Sequence, residues 1–419
     1  MPPRVLIVTA SVGEGHDLPA RTLAVQLREE HPEVEISTAD GLVAMGPLVS
    51  AVSESAPRLV FYRFEWLWDL GFWFFARWRP TRRLTQVALY LVGGPGLLRL
   101  VREYRPDVIV STYPHTTEVL GRLRRSGRLT VPVCAAVTDL AALWYWVTPG
   151  ADVHLYTHPE SSEEVLHIAG VAADAHCVHG FTDRAFLEPR EQSEARAQLG
   201  LPPAARLVVV SGGGWGVGNI PGAVEVALGL TQVDLVVCLS GRNEELRLRL
   251  KRQFGSDERV RVEGFTEQMP DWLAAADVLV HSTAGLTILE ALVRGCPSIS
   301  FGWGRGHIRL NNAAFRRFGL VDVADTPAEL RSALARALDR ERSPDLRFAR
   351  LPSAASFVLA QAGNGTARRE EGSRDHQQGK RETEHPTAQR RITPLLSAYE
   401  RSQHDRDGYL HGHDGRADP

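Results

Sequence analysis

Cysteine is scarce in this sequence, and the little there is has no arrangement that does chemistry. Cys134, Cys177, Cys238 and Cys296 are the only four in 419 residues, and no CxxC pair occurs. This excludes a disulfide framework and a zinc site of ordinary ligand spacing, and it makes a reducing cytoplasm the expected setting. An excess of one charge is also missing. The 48 Lys and Arg nearly balance 50 Asp and Glu, for a formal net charge of −2. No basic field is available to gather nucleic acid, which is therefore not an expected partner. A GxxxxGK[ST] motif is absent, which removes an ATP-hydrolysing P-loop. The first apolar run, Val5 to Ala10, is too short for a signal peptide and reads as a core strand. No stretch reaches the ~18 uninterrupted apolar residues of a membrane span. Arg58, Arg63, Glu65, Asp69, Arg77 and Arg79 interrupt the most apolar region. A soluble or peripheral protein is expected.

What is present is a repeated alternation of short apolar runs with amphipathic stretches. VLIVTA is followed by a helical pattern from about Asp17 to His31, then by VEIST, DVIVS and PVCAAV. After the polar stretch Pro189 to Pro203 the rhythm restarts with RLVVVS, DLVVCLS, RVRVEG, DVLVHS and PSISFG. Strands that alternate with helices imply parallel sheets, so the fold class is α/β with two similar Rossmann-like halves. The expected domains are 1–185 and 204–345, joined by a linker over 186–203. A closing helix is expected within 346–362. From 363 to 419 apolar residues are too few to offset chain entropy, and a disordered tail is expected. An insertion over about 42–104 interleaves aromatics and arginines, most densely over 57–83 (PRLVFYRFEWLWDLGFWFFARWRPTRR). Two readings stay open for it: an interfacial segment whose arginines meet an anionic membrane surface, or a helical subdomain with its aromatics in the core.

Ligands of open α/β sheets collect at the C-terminal ends of the strands, and four sequence features fall at such ends. After the first strand comes Ser11-Val-Gly13-Glu-Gly15-His16, opening a helix. Gly13 and Gly15 let backbone approach a ligand. His16 is either a base for an acceptor hydroxyl or a cap on its own helix. A dinucleotide fingerprint would need a third glycine where Leu18 stands, although Asp40 lies where a ribose-binding acid would. The second half opens with Ser211-Gly212-Gly213-Gly214-Trp215-Gly216-Val217-Gly218, and Gly213, Gly214 and Gly216 suit backbone contact with a diphosphate. Then Ser282, Thr283, Ala284 and Gly285 follow a strand, and Thr287 and Glu290 share a helix face. A carboxylate facing a crevice needs donors, which two ribose hydroxyls would supply; the alternative is an i, i+4 pair with Arg294. The loop Trp303 to Asn312 is the fourth feature. His154 and His158 straddle a strand-like HLYTH without a third ligand and are read as structural.

Taken together, these motifs resemble the GT-B glycosyltransferases that include the diacylglycerol sugar transferases (monogalactosyldiacylglycerol synthase and bacterial relatives) and the peptidoglycan N-acetylglucosaminyltransferase. The resemblance spans roughly Arg4 to Leu338. It rests on Gly13 to Pro19, Val137-Thr138-Asp139-Leu140, Ser211 to Gly218, Gly180 to Pro189, Thr283 to Leu292, and Gly306-His307 through Asn311. It implies two Rossmann-like domains with parallel sheets facing across a cleft, and inverting transfer of a hexosyl group. The implied donor is a nucleotide-diphosphate sugar carrying UDP, and the implied acceptor a lipid hydroxyl such as that of diacylglycerol. It implies His16 or Asp139 as the base, Glu290 on the ribose, and Gly306, His307 and Asn311 on the donor sugar and phosphates. No metal or resident cofactor is required, and the expected location is the inner face of the plasma membrane. Three positions depart from the pattern: Glu14 where glycine is usual, Trp215 where a polar residue is usual, and His307 in place of glutamine. Rival readings are the peptidoglycan enzyme itself, a nucleotide-sugar 2-epimerase, and a non-catalytic nucleotide-sugar sensor.

Overall fold

The continuous apolar runs of the sequence become strands buried on both faces, as parallel sheets covered by helices require. In the computed structural model, residues 2–11, 14–51, 70–283, 285–344 and 347–363 are described. The first sheet contains β1 (Arg4–Thr9), β2 (Glu35–Asp40), β3 (Val108–Ser111), β4 (Val133–Val137), β5 (Val153–Tyr156) and β6 (Ala175–Cys177), in the order β2-β1-β3-β4-β5-β6. The second contains β7 (Leu207–Ser211), β8 (Leu235–Leu239), β9 (Val260–Glu263), β10 (Val278–His281), β11 (Ser298–Phe301) and β12 (Asp322–Ala324), in the order β12-β11-β10-β7-β8-β9. Every pairing in both sheets is parallel. The architecture is the two-sheet α/β arrangement that the sequence resemblance implies. Strands β6 and β12 were not legible as apolar runs, because each is three residues long and only partly buried.

The order of each sheet creates a switch point, where connections leave the first strand in opposite directions and a crevice opens at the C-terminal ends. In the first sheet it lies between β1 and β3; in the second, between β7 and β10. Helix Glu14–Glu30 begins at the first, slightly earlier than the helical pattern predicted. The sheets meet along a shared hydrophobic cluster that includes Leu140 from the first half with Phe186, Leu286, Trp303 and Ile308.

Two findings concern the segment before β3. Of the aromatics described there, Trp73, Phe74, Phe75 and Trp78 are exposed and are not core; positions 57–69 lie outside the described residues. Second, helix Arg79–Tyr104 is 26 residues long with an 18-residue window of mean hydropathy 1.4. By length and composition it could cross a membrane, although sequence inspection gave no span. Its C-terminal half is nonetheless built into the domain: Gly93, Gly94, Leu97, Leu98 and Val101 are buried against helices Gly41–Met45 and Pro114–Arg125. Gly96 makes this approach possible, since a Cβ there would stand 1.9 Å from the Ala44 carbonyl oxygen. The N-terminal half presents Leu84 (68% exposed), Val87, Leu91 (65%) and Val92.

The closing helix occupies 354–363 and returns to the first half. Ala354, Ala355, Val358 and Ala362 are buried with Val5, Ile7, Leu23 and Leu27. The return is fastened by Gln26, whose Nε2 donates to Ser353 Oγ at 3.0 Å, and by a bridge between His179 and Ser353. The expected disordered tail lies outside the described residues from 364 onward.

Candidate functional site

At the first switch point the backbone of His16 is locked before its ring does anything. Its carbonyl oxygen accepts from Thr9 Oγ1 and Thr112 Oγ1, both at 3.0 Å. The ring does not cap its own helix. Nδ1 lies 3.2 Å from the Thr112 carbonyl oxygen, which can only accept, so Nδ1 carries the proton and Nε2 keeps the lone pair. Tyr113 meets the imidazole edge-on at 4.8 Å between centroids, and Trp146 lies at 5.4 Å. Burial, with His307 and His115 nearby, lowers the His16 pKa to about 3. The imidazole is therefore neutral at working pH.

Asp139 sits just beyond β4, and its Oδ2 accepts the indole N–H of Trp146 at 3.0 Å. Burial raises its pKa, while His307 and the Trp146 bond pull it back. His307, at the start of helix His307–Phe318 in the second half, thus bears on both His16 and Asp139. Asp40 takes no part: its carboxylate accepts from the backbone N–H of Ser11 and Val43 and caps a short helix. Gly15 borders open space, and Gly13 lies outside the described residues, as does the Glu14 side chain.

The second switch point presents backbone rather than side chains. Gly213, Gly216 and Gly218 adopt φ of 69°, 60° and 99°, so the loop after β7 folds in a manner that side chains resist. Ser282 is committed to this loop through a bond from Oγ to the Val217 carbonyl. Thr283 donates its N–H to His281 Nδ1 at 3.0 Å, and Ala284 lies outside the described residues. Helix Leu286–Arg294 starts at Gly285 and helix His307–Phe318 at Gly306, neither with a side-chain cap. Both N-termini keep the positive potential that suits phosphate. Gly306 needs to be glycine, with φ 56° and ψ −133°.

Glu290 does not pair with Arg294. The Arg294 guanidinium instead donates to the carbonyl oxygens of Ala185 and Glu188 in the crossing segment. Glu290 is 3% exposed, no hydrogen bond or ion pair reaches its carboxylate among the described residues, and burial together with Asp183 raises its pKa to about 8. A buried carboxyl group without donors is costly, and ligand hydroxyls would relieve it. Asn311 is divided between two tasks. Its Oδ1 accepts from the Ala141 N–H at 2.9 Å, tying the Asp139 loop to the second half, while Nδ2 is buried with no partner among the described residues. Asn311→Ala is expected to lower unfolding free energy by about 1–3 kcal/mol, as the Ala141 N–H loses its acceptor; denaturant titration checks this.

Sequence inspection missed Thr112, Tyr113, His115 and Trp146. The first three stand at the C-terminal end of β3, so the rule that ligands gather at strand ends could have found them. His154 donates to the Thr148 carbonyl at 3.0 Å inside the core, and no metal-binding cluster with His158 occurs among the described residues.

Known proteins are similar to this chain over both halves. The monogalactosyldiacylglycerol (MGDG) synthase family matches residues 16–181, and glycosyl transferases group 1 match residues 222–340. A processive diacylglycerol beta-glucosyltransferase of Staphylococcus aureus (strain MRSA252) is 25% identical over 329 residues, covering 78% of this chain and 82% of the relative. MurG of Acinetobacter baumannii superposes with a TM-score of 0.52 at 15% identity, over 87% of this chain and all of the other. Os79 of O. sativa, solved with U2F and trichothecene, gives 0.56 at 14% identity, covering 86% of this chain and 100% of Os79. The chain is a glycosyltransferase of the GT-B fold, similar over residues 16–181 to the monogalactosyldiacylglycerol synthases.

Proposed function

We propose that the chain transfers a hexosyl group from a UDP-sugar to a hydroxyl of a lipid such as diacylglycerol, with inversion, at the anionic inner face of the plasma membrane. The observation that carries this reading is the pairing of the two crevices. His16 and Asp139 lie on one side of the seam, His307 acts on both from the other, and the glycine loop and Glu290 line the same second half. The diphosphate would rest against the glycine loop and the N-termini at Gly285 and Gly306, with the ribose on Glu290. The acceptor O–H gives its proton to His16 Nε2 or Asp139 as its oxygen bonds the anomeric carbon, and the bond to the diphosphate breaks on the opposite face. Leaving-group charge is met by backbone N–H groups and helix N-termini.

The lipid side of the reading rests on Trp73, Phe75, Trp78, Leu84 and Leu91, exposed beside Arg77, Arg79 and Arg83. Such a surface places apolar groups below the headgroups and arginines among them. Phe72, at its start, lies 6.3 Å from the His307 ring, so this surface reaches the cleft. The double variant Leu84→Asp, Leu91→Asp is expected to bind anionic vesicles at least tenfold more weakly while unfolding at the native temperature. Co-sedimentation measures it, and unchanged binding would refute the membrane assignment.

The deciding experiment incubates the chain with labelled nucleotide sugars and mixed membrane lipids, then extracts the lipid. Labelled glycerolipid supports the proposal. Label on a polyprenyl-linked acceptor would point to the peptidoglycan reaction, and a changed sugar nucleotide without lipid product to an epimerase. Donor binding without turnover would indicate a sensor.

A further inference from the structure

We propose that Trp146 is a positioning residue for the transfer, holding Asp139 and His16 apart and turned toward one acceptor hydroxyl. The inference rests on the transferase reading above. Trp146 is buried, and its two contacts differ in kind. The indole N–H donates to Asp139 Oδ2 at 3.0 Å, and the ring stands 5.4 Å from the His16 imidazole at an interplanar angle of 41°. An indole nitrogen only donates, so it engages one carboxylate oxygen. Nothing else hydrogen-bonds that carboxylate among the described residues, which leaves Oδ1 for the reaction. The ring closes one side of His16 as Tyr113 closes another, and the imidazole is kept on the Thr112 carbonyl.

Trp146 can direct its neighbours because it is itself immobilised. Tyr145 Oη donates to the Phe75 carbonyl at 3.2 Å, and the Leu143 N–H donates to Glu164 Oε1 at 3.0 Å. Arg82 lies over the Trp144 ring at 5.0 Å. Val137, Leu143, Val147 and Tyr156 pack with Trp146 in one cluster. The loop is therefore pinned on either side of the indole.

A residue that only walls the site needs the ring; one that positions Asp139 needs the N–H. Trp146→Phe keeps the ring and removes the donor. It is expected to lower kcat about tenfold or more, leave the donor KM within about twofold, and shift the acid limb of kcat to higher pH. The sign follows from Asp139 acting ionised. Its anion is favoured by the Trp146 N–H and by His307 from helix His307–Phe318; His16 and His115 lie on helices Glu14–Glu30 and Pro114–Arg125. Losing the donor raises the Asp139 pKa, so activity falls away at a higher pH. Trp146→His, which restores a ring N–H, is expected to recover kcat at pH 7.5 and above. Adding Trp146→Phe to Asp139→Asn should cost nothing further, and this arm stands even if the single variant folds poorly. An unmoved acid limb, Phe and His variants that behave alike, or additive losses would each overturn the role of Trp146. A native chain that transfers no sugar would instead overturn the transferase reading beneath it.

Discussion

Glu290→Ala should bind uridine diphosphate about 10–100-fold more weakly than the native chain, whatever the acceptor. The carboxylate is buried, and Arg294, its nearest candidate partner by sequence, is bound to the crossing segment instead. Two ribose hydroxyls would therefore be its main donors, and bonds from hydroxyls to a carboxylate are worth about 1.5–3 kcal/mol. The pH dependence follows. With its pKa raised to about 8, Glu290 holds a proton at pH 7 in the free protein. Hydroxyl donors favour the anion, so native affinity should rise from pH 7 to about pH 8.5 and then level, whereas the variant should titrate flat. Stability moves the other way. An acid whose folded pKa exceeds its unfolded value makes the fold less stable as pH rises through the interval between them, here from 4.5 to about 8. Glu290→Gln should thus unfold at a higher temperature than the native chain at pH 8, the gain being on the order of a few kcal/mol or less. Calorimetric titration and thermal unfolding measure the two arms. Equal nucleotide affinity in variant and native chain would end the ribose assignment.

His16→Ala should lower turnover by about 10²–10⁴ while leaving uridine diphosphate affinity within about twofold. The residue stands at the first switch point, whereas the nucleotide elements line the second. Its Nε2 is the lone-pair nitrogen, because Nδ1 is committed to the Thr112 carbonyl. Since the His16 pKa is lowered to about 3, protonation of this ring cannot account for activity lost near neutral pH. Any acid limb above pH 4 in the native profile belongs to another group, and Asp139, whose pKa is raised, is the expected one. Single-turnover rates across pH decide it, and a variant that turns over at the native rate would remove His16 as the base.

Much of the fold was legible because parallel strands buried on both faces leave continuous apolar runs, and VLIVT, VVVS and VLVH can be little else. The crevices were legible for a related reason: glycines crowd where backbone must adopt positive φ, as at Gly213 and Gly216. Where a strand is only three residues long and partly buried the signal fades, which hid β6 and β12. Helix Arg79–Tyr104 was obscured differently, since charges at its start broke the apolar run while its far end packs on glycines against a neighbouring helix. Pairwise choices were beyond sequence altogether. Glu290 and Arg294 have ideal spacing for an ion pair, and only the crossing segment brought against Arg294 decides otherwise. Trp146 sits in a loop without periodicity, so nothing along the chain announces that its indole meets Asp139.

The helix at 354–363 has a consequence for how such a protein can be divided. Because this helix completes the packing around Leu23 and Leu27, the first half is not a self-sufficient part. A gene fragment ending near residue 185 would yield a product with a greasy scar where Ala354 and Val358 belong.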